Sequence, residues 1–355
     1  MYYYQCFTCG KKWDADFIES NFHYLCPNCE NKNLPGNPLI GVLQVFYDYN
    51  SLKAKYSKNF FRKIKTGNVF FYPDLLPIRK KLNLSLFDSL SLPQNSLKKI
   101  KFTSENEIYL LDETHNPTFS YKDRASILVA AKAIEIGKTT ICTASTGNAA
   151  SSISGICATL GLKSKIFVPK NIPDEKLLQI KIYGADVQKV AGNYDDAFDL
   201  AIEKSKQKNW YNRNTAYNPL TIEGKKSAAF DILLQMNFQI PDKIFVPTGD
   251  GVIISGIYKG FFDLLKLNII EKIPQLIAVQ SEGSSAIIDY LQNGKFILKE
   301  SNTIADSISV NAPRNLYLAT DCIEKSNGFG IKVNDDEILK SEKYIGNKFG
   351  IFVEP

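Results

Sequence analysis

Segments typical of strands and of helices alternate along most of this 355-residue chain, and the alternation limits the folds open to it. In the middle of the chain, such segments lie at 139–143, 148–160, 165–168, 174–183, 186–190, 194–208 and 209–212. A later stretch repeats the pattern, at 222–236, 243–246, 253–267, 275–279, 284–293, 313–326, 328–333 and 335–347. Strands that alternate with helices predict βαβ units and a parallel sheet. We therefore expect an α/β fold.

The composition is that of an ordinary globular protein, with 44% hydrophobic and 23% charged residues. The length allows two domains or one large one. No apolar run is long enough to span a membrane, and the first ten residues lack the charged and apolar regions of a signal peptide, so we expect a cytoplasmic protein. The net charge is +6, but the lysines form no dense block, so we do not expect nucleic acid as the partner.

Four of the seven cysteines form two CxxC pairs near the start of the chain: Cys6 with Cys9, and Cys26 with Cys29. Each pair can bring two thiolates to one side of a tight turn, and two pairs complete a tetrahedral zinc site. Because all four positions are cysteine, no ligand position is left open for catalysis, and the expected role is structural. A pair of disulfides is the alternative, and a ribbon that contacts nucleic acid is a weaker one. The other three cysteines are expected in the core: Cys142, Cys157 and Cys322.

The segment between the cysteine pairs and the alternating region is less regular. Residues 31–38 contain two prolines, a glycine and three asparagines, which is typical of a linker. Residues 41–49 are expected to form a strand, and about 51–65 a helix.

Lys122 lies in the stretch Asn116-Pro-Thr-Phe-Ser-Tyr-Lys-Asp-Arg124, between an expected strand at 107–111 and an apolar helix at 125–136. This is a strand-to-helix corner, where α/β proteins build their sites. The neighbouring Asp123 and Arg124 are expected to help hold the lysine amine. Taken alone, the position also fits a solvated surface lysine.

Two further strand-to-helix loops are candidates for anion binding. Ser145-Thr-Gly-Asn148 combines hydroxyls, a glycine and the free N–H groups of a helix start, although an ordinary helix cap would look similar. Thr248-Gly-Asp-Gly251 has glycines that let the backbone approach a phosphate, but it matches neither the P-loop nor the dinucleotide pattern. A buried lysine that can form a Schiff base, together with a phosphate loop, suggests pyridoxal phosphate.

Five motifs in order resemble those of threonine synthases that carry an N-terminal zinc ribbon. They are the stretch 116–124, Ser145-Thr-Gly-Asn148, Asn218-Pro-Leu-Thr-Ile-Glu-Gly-Lys-Lys226, Gly249-Asp-Gly251 and Ala305-Asp-Ser-Ile-Ser309. These enzymes are fold-type-II pyridoxal-phosphate enzymes, so the resemblance implies two open parallel-sheet domains preceded by a small zinc ribbon. It also implies the division into a zinc ribbon at 1–35, a first part of the large domain at 36–138, a small domain at 139–212 and a second part of the large domain at 213–355.

The resemblance implies roles for individual residues. Lys122 would bind the cofactor as a Schiff base and move protons on the substrate. Asn148 would bind the ring hydroxyl of the cofactor, and the substrate carboxylate would bind to Ser145, Thr146 and Gly147. The cofactor phosphate would bind to the loop formed by Gly249, Asp250, Gly251, Val252 and Ile253. The implied reaction converts O-phospho-L-homoserine and water to L-threonine and phosphate, in a homodimer.

Two departures from the family keep alternatives open. Thr221 stands where many members have an arginine for the substrate phosphate, although Lys225 and Lys226 lie near it. Because the arginine is replaced, a cysteate-synthase-like β-replacement on O-phospho-L-serine is an alternative. The family also continues beyond the motif that resembles Phe352-Val-Glu-Pro355, with a Thr-Gly-x-Gly segment that contacts the cofactor ring. A truncated or split member without catalysis is therefore a further alternative.

Overall fold

The structure is a computed structural model, which describes residues 1–64, 66–101 and 106–355. The first elements in the chain are β1 (Tyr2–Cys6), β2 (Lys12–Asp14), α1 (Ala15–Ser20), β3 (Leu43–Tyr47), α2 (Tyr49–Leu52), α3 (Lys58–Lys63), β4 (Leu97–Ile100), β5 (Ile108–Leu111) and α4 (Asp123–Glu135). Short 3₁₀ turns lie at Glu30–Lys32, Pro73–Leu75, Leu84–Leu90, Glu282–Ser284 and Asp306–Ile308.

The N-terminal sheet is antiparallel, with strand order β2-β1-β3. Its register pairs Cys6 with Leu43, and a further bridge joins Leu25 to Val42, so both cysteine pairs are tied to the strand that follows them. The expected strand over 41–49 is confirmed as β3. The expected helix over 51–65 is wrong, because α2 and α3 are separate short helices with their own caps; its last residue, 65, lies outside the described part of the chain.

The next elements are β6 (Thr140–Ala144), α5 (Asn148–Leu160), β7 (Lys163–Pro169), α6 (Asp174–Ile182), β8 (Asp186–Val190), α7 (Tyr194–Lys208) and β9 (Tyr211–Asn212). They build a parallel sheet with strand order β8-β7-β6-β9, which confirms the alternation predicted for 139–212. Local signals fix the helix ends: Asn193 and Asp196 form a capping box at the start of α7, and Gly161 ends α5 in the left-handed conformation.

The last elements are α8 (Leu220–Lys225), α9 (Ser227–Gln235), β10 (Lys243–Pro247), α10 (Val252–Lys266), β11 (Gln275–Ser281), α11 (Ala286–Asn293), α12 (Leu316–Lys325), β12 (Phe329–Val333) and α13 (Asp335–Phe349). A second parallel sheet has the order β10-β11-β12. The single helix expected over 222–236 is interrupted at Lys226, which separates α8 from α9.

The expected strand near 107–111 is β5, and it pairs with β4 in an antiparallel hairpin rather than with either parallel sheet. The chain then enters α4, which is buried along almost its whole length and packs against α5 and α8. The loops before α4, α5 and α10 are the three that the sequence indicates as functional. Among the described helices, none is both long and apolar enough to cross a membrane.

Candidate active site

The loop before α4 is held by its own buried polar side chains. The Asn116 amide donates to the carbonyl oxygen of Ser120 at 3.0 Å, and Thr118 donates its N–H at 2.7 Å, and also its hydroxyl, to the Asp123 carboxylate. Asp123 is fully buried and also accepts a hydrogen bond from Ser152 at 2.6 Å. These bonds fix the backbone on both sides of Lys122.

Arg124 fastens the start of α4 to the rest of the chain. Its guanidinium is fully buried and forms ion pairs at 2.6 Å with both Glu113 and Asp231, and it donates to the Ser227 hydroxyl at 3.0 Å. The expectation that Asp123 and Arg124 hold the lysine amine is therefore wrong. Their described partners are the loop, α5 and α9, so they position the Lys122 backbone instead.

The Lys122 side chain is half-buried, and burial lowers the pKa of its amine below the ordinary lysine value. The carboxylates of Glu354 and Asp250 act in the opposite direction, and the charge of Arg213 acts in the same direction as burial. An amine with a lowered pKa is neutral in a larger fraction of molecules, which is the form that attacks an aldehyde.

Asn148 lies at the start of α5 and shares a neighbour with Lys122. Its side-chain amide donates to the Ser307 hydroxyl at 3.3 Å and to the carboxylate of Glu354, which also accepts from Ser307. Because the Glu354 carboxylate also affects the pKa of Lys122, the two predicted residues face one space. Sequence reasoning gave Glu354 and Ser307 no role, although both lie in motifs that it identified.

The half-buried loop before α5 contains Ser145, Thr146 and Gly147. The Gly147 N–H donates to the Ser145 hydroxyl oxygen at 3.3 Å, which shapes the turn. The loop directly follows β6 and leads into the helix that carries Asn148, so the predicted carboxylate loop and Asn148 lie side by side.

The glycine loop before α10 has the form of a phosphate cradle. The N–H groups of residues 249–253 take part in none of the hydrogen bonds between described residues, so a row of donors is available at the helix start. Gly251 has a φ of +83°, and a Cβ there would lie 2.5 Å from the Cβ of Ala319. A Cβ at Gly249 would lie 2.9 Å from the Cα of Ile308. Side chains are therefore excluded at both positions.

Asp250 has a different function from its glycine neighbours. Its carboxylate accepts the N–H of Arg314 at 3.0 Å, and its carbonyl oxygen accepts the N–H of Asn315 at 3.1 Å. These two bonds tie the loop to the start of α12. The pKa of Asp250 is raised by burial, against the charges of Arg314, Lys225 and Lys122. The loop that would hold a phosphate thus faces the lysine that would hold an aldehyde, and the residues present fit pyridoxal phosphate.

The four cysteines of the N-terminal pairs meet at one point. Their sulfur atoms all lie within 4.8 Å of one another, with Cys6 and Cys29 at 3.9 Å and Cys9 and Cys26 at 3.8 Å. A tetrahedral zinc with four thiolate ligands requires sulfur atoms about 3.8 Å apart, since each Zn–S bond is about 2.3 Å. The donor set and its spacing therefore fit zinc.

Comparisons with known proteins are consistent with this geometry. The model of the family described as "Pyridoxal-phosphate dependent enzyme" matches residues 92–355. The threonine synthase of Methanocaldococcus jannaschii is 34% identical over 99% of this chain and 84% of its own length. The threonine synthase of Methanosarcina acetivorans is 31% identical over 100% of this chain and 84% of its own length.

Solved structures of more distant proteins share the fold. The processed form of threonine deaminase isoform 2 from Solanum lycopersicum has a TM-score of 0.63 at 20% identity, over 82% of this chain and 81% of that one. Maize serine racemase has a TM-score of 0.60 at 20% identity, over 70% and 74% of the two chains. At these identities the likeness describes the fold alone.

Proposed function

The chain belongs to the pyridoxal-phosphate-dependent enzyme family and is a threonine-synthase-like lyase, and from this premise we propose that it converts O-phospho-L-homoserine and water to L-threonine and phosphate. The observation that carries the proposal is the meeting of Lys122 with two anion-binding loops. The carboxylates of Glu354, beside Asn148, and of Asp250, in the glycine loop, both act on the pKa of the lysine amine.

Four groups of residues would hold the cofactor and the substrate. Lys122 would bind the cofactor aldehyde through Nζ, and the Asn148 amide would bind the ring hydroxyl in place of its contact with Glu354. The N–H groups of residues 249–253 would bind the cofactor phosphate. The loop 145–147 would bind the substrate carboxylate with its hydroxyls and its helix-start N–H groups.

The cofactor, when bound, supplies an electron sink for the negative charge that develops on substrate carbon. The role of the chain is then proton transfer and orientation. Lys122 Nζ, once free, would take the proton from Cα and move protons at Cβ, because a lowered pKa leaves more of the amine neutral and able to accept a proton. Phosphate leaves from Cγ, which gains a proton and becomes the methyl group of threonine. Cβ gives up one proton and receives the hydroxyl of water, so one water is consumed for each phosphate released.

We further propose that Cys6, Cys9, Cys26 and Cys29 hold one structural zinc in a ribbon over 1–35, whose sheet continues into β3. The cofactor would then lie between a small domain at 139–212 and a large domain built from 36–138 and 213–355. The parallel sheets of 140–212 and 243–333 support this division. The homodimer remains part of the proposal, and sedimentation equilibrium tests it.

The test of the proposed function begins with cofactor attachment. Pyridoxal phosphate added to the purified protein should give the absorbance band of a Schiff base, and borohydride followed by peptide mapping should locate the label on Lys122. Lys122→Ala should lose the label and at least about 100-fold of the turnover, since a positioned proton-transfer group contributes about 10²- to 10⁴-fold. Lys170→Ala, at an exposed lysine of the same half of the chain, is the matched control.

Phosphate release should then be measured with O-phospho-L-homoserine and O-phospho-L-serine side by side. Faster turnover of O-phospho-L-homoserine, with threonine as product, supports the proposal. Preference for O-phospho-L-serine would replace it with a β-replacement reaction, and a label on another lysine would contradict the assignment of Lys122.

A further inference from the structure

Two buried cations beside Lys122 form no ion pair with any described carboxylate, and we infer that these residues, Arg213 and Lys225, form the binding site for the phosphoryl group of the substrate. This inference rests on the proposed function for the identity of the substrate. The site itself follows from the contrast between these two residues and the other buried cations of the chain.

Seven lysines and arginines in the described part of the chain are less than 5% exposed. Five of them form ion pairs with carboxylates: Arg124 with Glu113 and Asp231, Lys132 with Glu19 and Glu135, Lys226 with Glu223 and Asp263, Lys259 with Asp263 and Glu223, and Arg314 with Asp195. Arg213 and Lys225, each 1% exposed, form none with any described residue. Burying a charge without an ion pair costs free energy, so an anion bound beside these two residues would stabilise them.

Arg213 directly follows β9, and its N–H donates to the carbonyl oxygen of Cys142 at 2.8 Å. Its Nε lies 3.4 Å from the Ser126 hydroxyl, while Nη2 is buried without a hydrogen-bond partner among the described atoms. Burial lowers the pKa of the guanidinium to about 10, and the acidic groups of Tyr194 and Asp123 only partly oppose the effect. A planar guanidinium with a free nitrogen suits a phosphate oxygen.

Lys225 is held beside the cofactor lysine by the packing of α8 on α4. Its carbonyl oxygen accepts a hydrogen bond from the hydroxyl of Tyr121, the residue before Lys122, at 3.0 Å. Gly224 lets the two helices touch, because a Cβ there would lie 2.3 Å from the carbonyl oxygen of Arg124. Burial lowers the pKa of the Lys225 amine, and the charges of Arg213 and Lys122 lower it further, while the carboxylate of Asp250 only partly opposes them. The three cations therefore share one space.

The structure also distinguishes among the three residues that could take the place of the family's arginine. The Thr221 hydroxyl is buried and donates to the carbonyl oxygen of Asn218 at 2.7 Å. The Lys226 amine is occupied by Glu223 at 2.6 Å and Asp263 at 2.8 Å. Lys225 is the residue of the three whose polar group has no described partner, and the charge of Lys122 lowers the pKa of its amine.

In the proposed function, the other anions of the reaction already have ligands. The cofactor phosphate would bind the N–H groups of residues 249–253, and the substrate carboxylate would bind the loop 145–147. The remaining anion is the substrate phosphate, which carries up to two negative charges. A phosphate beside the Lys225 amine favours the charged form of that amine, so Arg213 and Lys225 together would supply two positive charges. The pair would then neutralise this group and favour its departure as phosphate.

The test uses the cofactor-loaded protein, so that the glycine loop is filled, with the variants Lys225→Gln and Arg213→Gln. Steady-state turnover of O-phospho-L-homoserine should show KM raised about 10- to 100-fold, the effect of losing one hydrogen bond to a charged group. The dissociation constant of pyridoxal phosphate, from absorbance titration, should stay within about twofold of wild type. Lys266→Gln, at an exposed lysine of α10, should match wild type in both measurements.

A readout without turnover separates this inference from the proposed function. Inorganic phosphate should raise the unfolding temperature of the cofactor-loaded wild type, since a ligand that binds only the folded state stabilises it. It should not raise that of Lys225→Gln or Arg213→Gln. If wild type releases no phosphate from O-phospho-L-homoserine yet shows this difference, the proposed function fails and the anion site stands.

Two results would overturn the inference. One is a pair of variants with unchanged KM and unchanged stabilisation by phosphate. The other is a weaker affinity for pyridoxal phosphate with unchanged KM, which would assign the two cations to the phosphate of the cofactor. Arg213→Lys should show a smaller rise in KM than Arg213→Gln, because lysine keeps the positive charge but lacks the planar donors of arginine.

Discussion

The contact between α8 and the start of α4 can be tested by replacing Gly224 with alanine. A Cβ at this position would lie 2.3 Å from the carbonyl oxygen of Arg124 and 2.7 Å from the Cα of Ala125. Both atoms belong to the backbone of α4, so neither can rotate away from the new methyl group. The two helices must move apart, and that movement displaces Lys122 and Lys225 together.

Three effects set the size of the change in stability. Glycine to alanine inside a helix normally stabilises by about 0.5–1 kcal/mol. Overpacking of a close contact costs about 1–3 kcal/mol. Separation of the helices also weakens the 3.0 Å hydrogen bond from the Tyr121 hydroxyl to the carbonyl of Lys225, at a cost of about 1 kcal/mol. The sum is a net loss of about 1–3 kcal/mol in the free energy of unfolding.

The assay is urea unfolding followed by circular dichroism, together with absorbance titration of the cofactor. Gly346→Ala is the matched control, because Gly346 lies inside α13 and the nearest atom to its added Cβ is 3.9 Å away. This control should gain about 0.5–1 kcal/mol. Opposite signs for the two variants, with weaker cofactor binding only in Gly224→Ala, support the reasoning. A Gly224→Ala protein as stable as wild type, with unchanged cofactor affinity, would refute it.

Two other changes test groups further from the cofactor. Asp263→Asn should cost about 3–5 kcal/mol in urea unfolding at neutral pH, because Lys226 and Lys259 then have only Glu223 to share. Burial raises the pKa of Asp263, but the two lysines outweigh it and the net direction is downward. The contribution of Asp263 to the free energy of unfolding is therefore complete above the pKa of about 3.9 that it has in the unfolded chain, and it is lost as pH falls through the lower pKa of the folded state. The stability difference between wild type and Asp263→Asn should shrink below about pH 4. A difference that does not change with pH would contradict this. Cys29→Ser should lose most of the bound zinc by atomic absorption and make β1 and β3 protease-sensitive, whereas full zinc content would contradict the four-thiolate site.

The sequence alone was sufficient for the alternating elements of 139–212. Their ends are set by local signals, such as the capping box of Asn193 and Asp196 and the left-handed Gly161, and local signals can be read from neighbouring residues. The three strand-to-helix loops were also visible, because glycine, hydroxyl and proline residues punctuate the pattern. The order of strands in each sheet could not be predicted from the sequence, since it depends on which segments meet after the chain has folded.

Partners distant in the sequence explain the interpretations that were wrong. Arg124 stands two residues after Lys122 in the chain, and the sequence analysis expected it to help hold the amine. In the structure the Arg124 guanidinium forms ion pairs with Glu113 and Asp231, and Asp231 is more than a hundred residues away in the sequence. The predicted helix over 222–236 breaks at Lys226, whose amine is buried between Glu223 and Asp263.

The adjacent lysines 225 and 226 show most clearly where sequence reasoning ends. Two lysines in a row have the same composition, charge and local propensity, so no pattern distinguishes them. The packing of α8 directs Lys226 to two carboxylates and Lys225 to the space shared with Lys122 and Arg213. The sequence alone placed both lysines near Thr221, in one of the motifs of the site. Only the tertiary structure decided which of them forms no ion pair with a described residue, because charge pairing depends on segments that folding brings together.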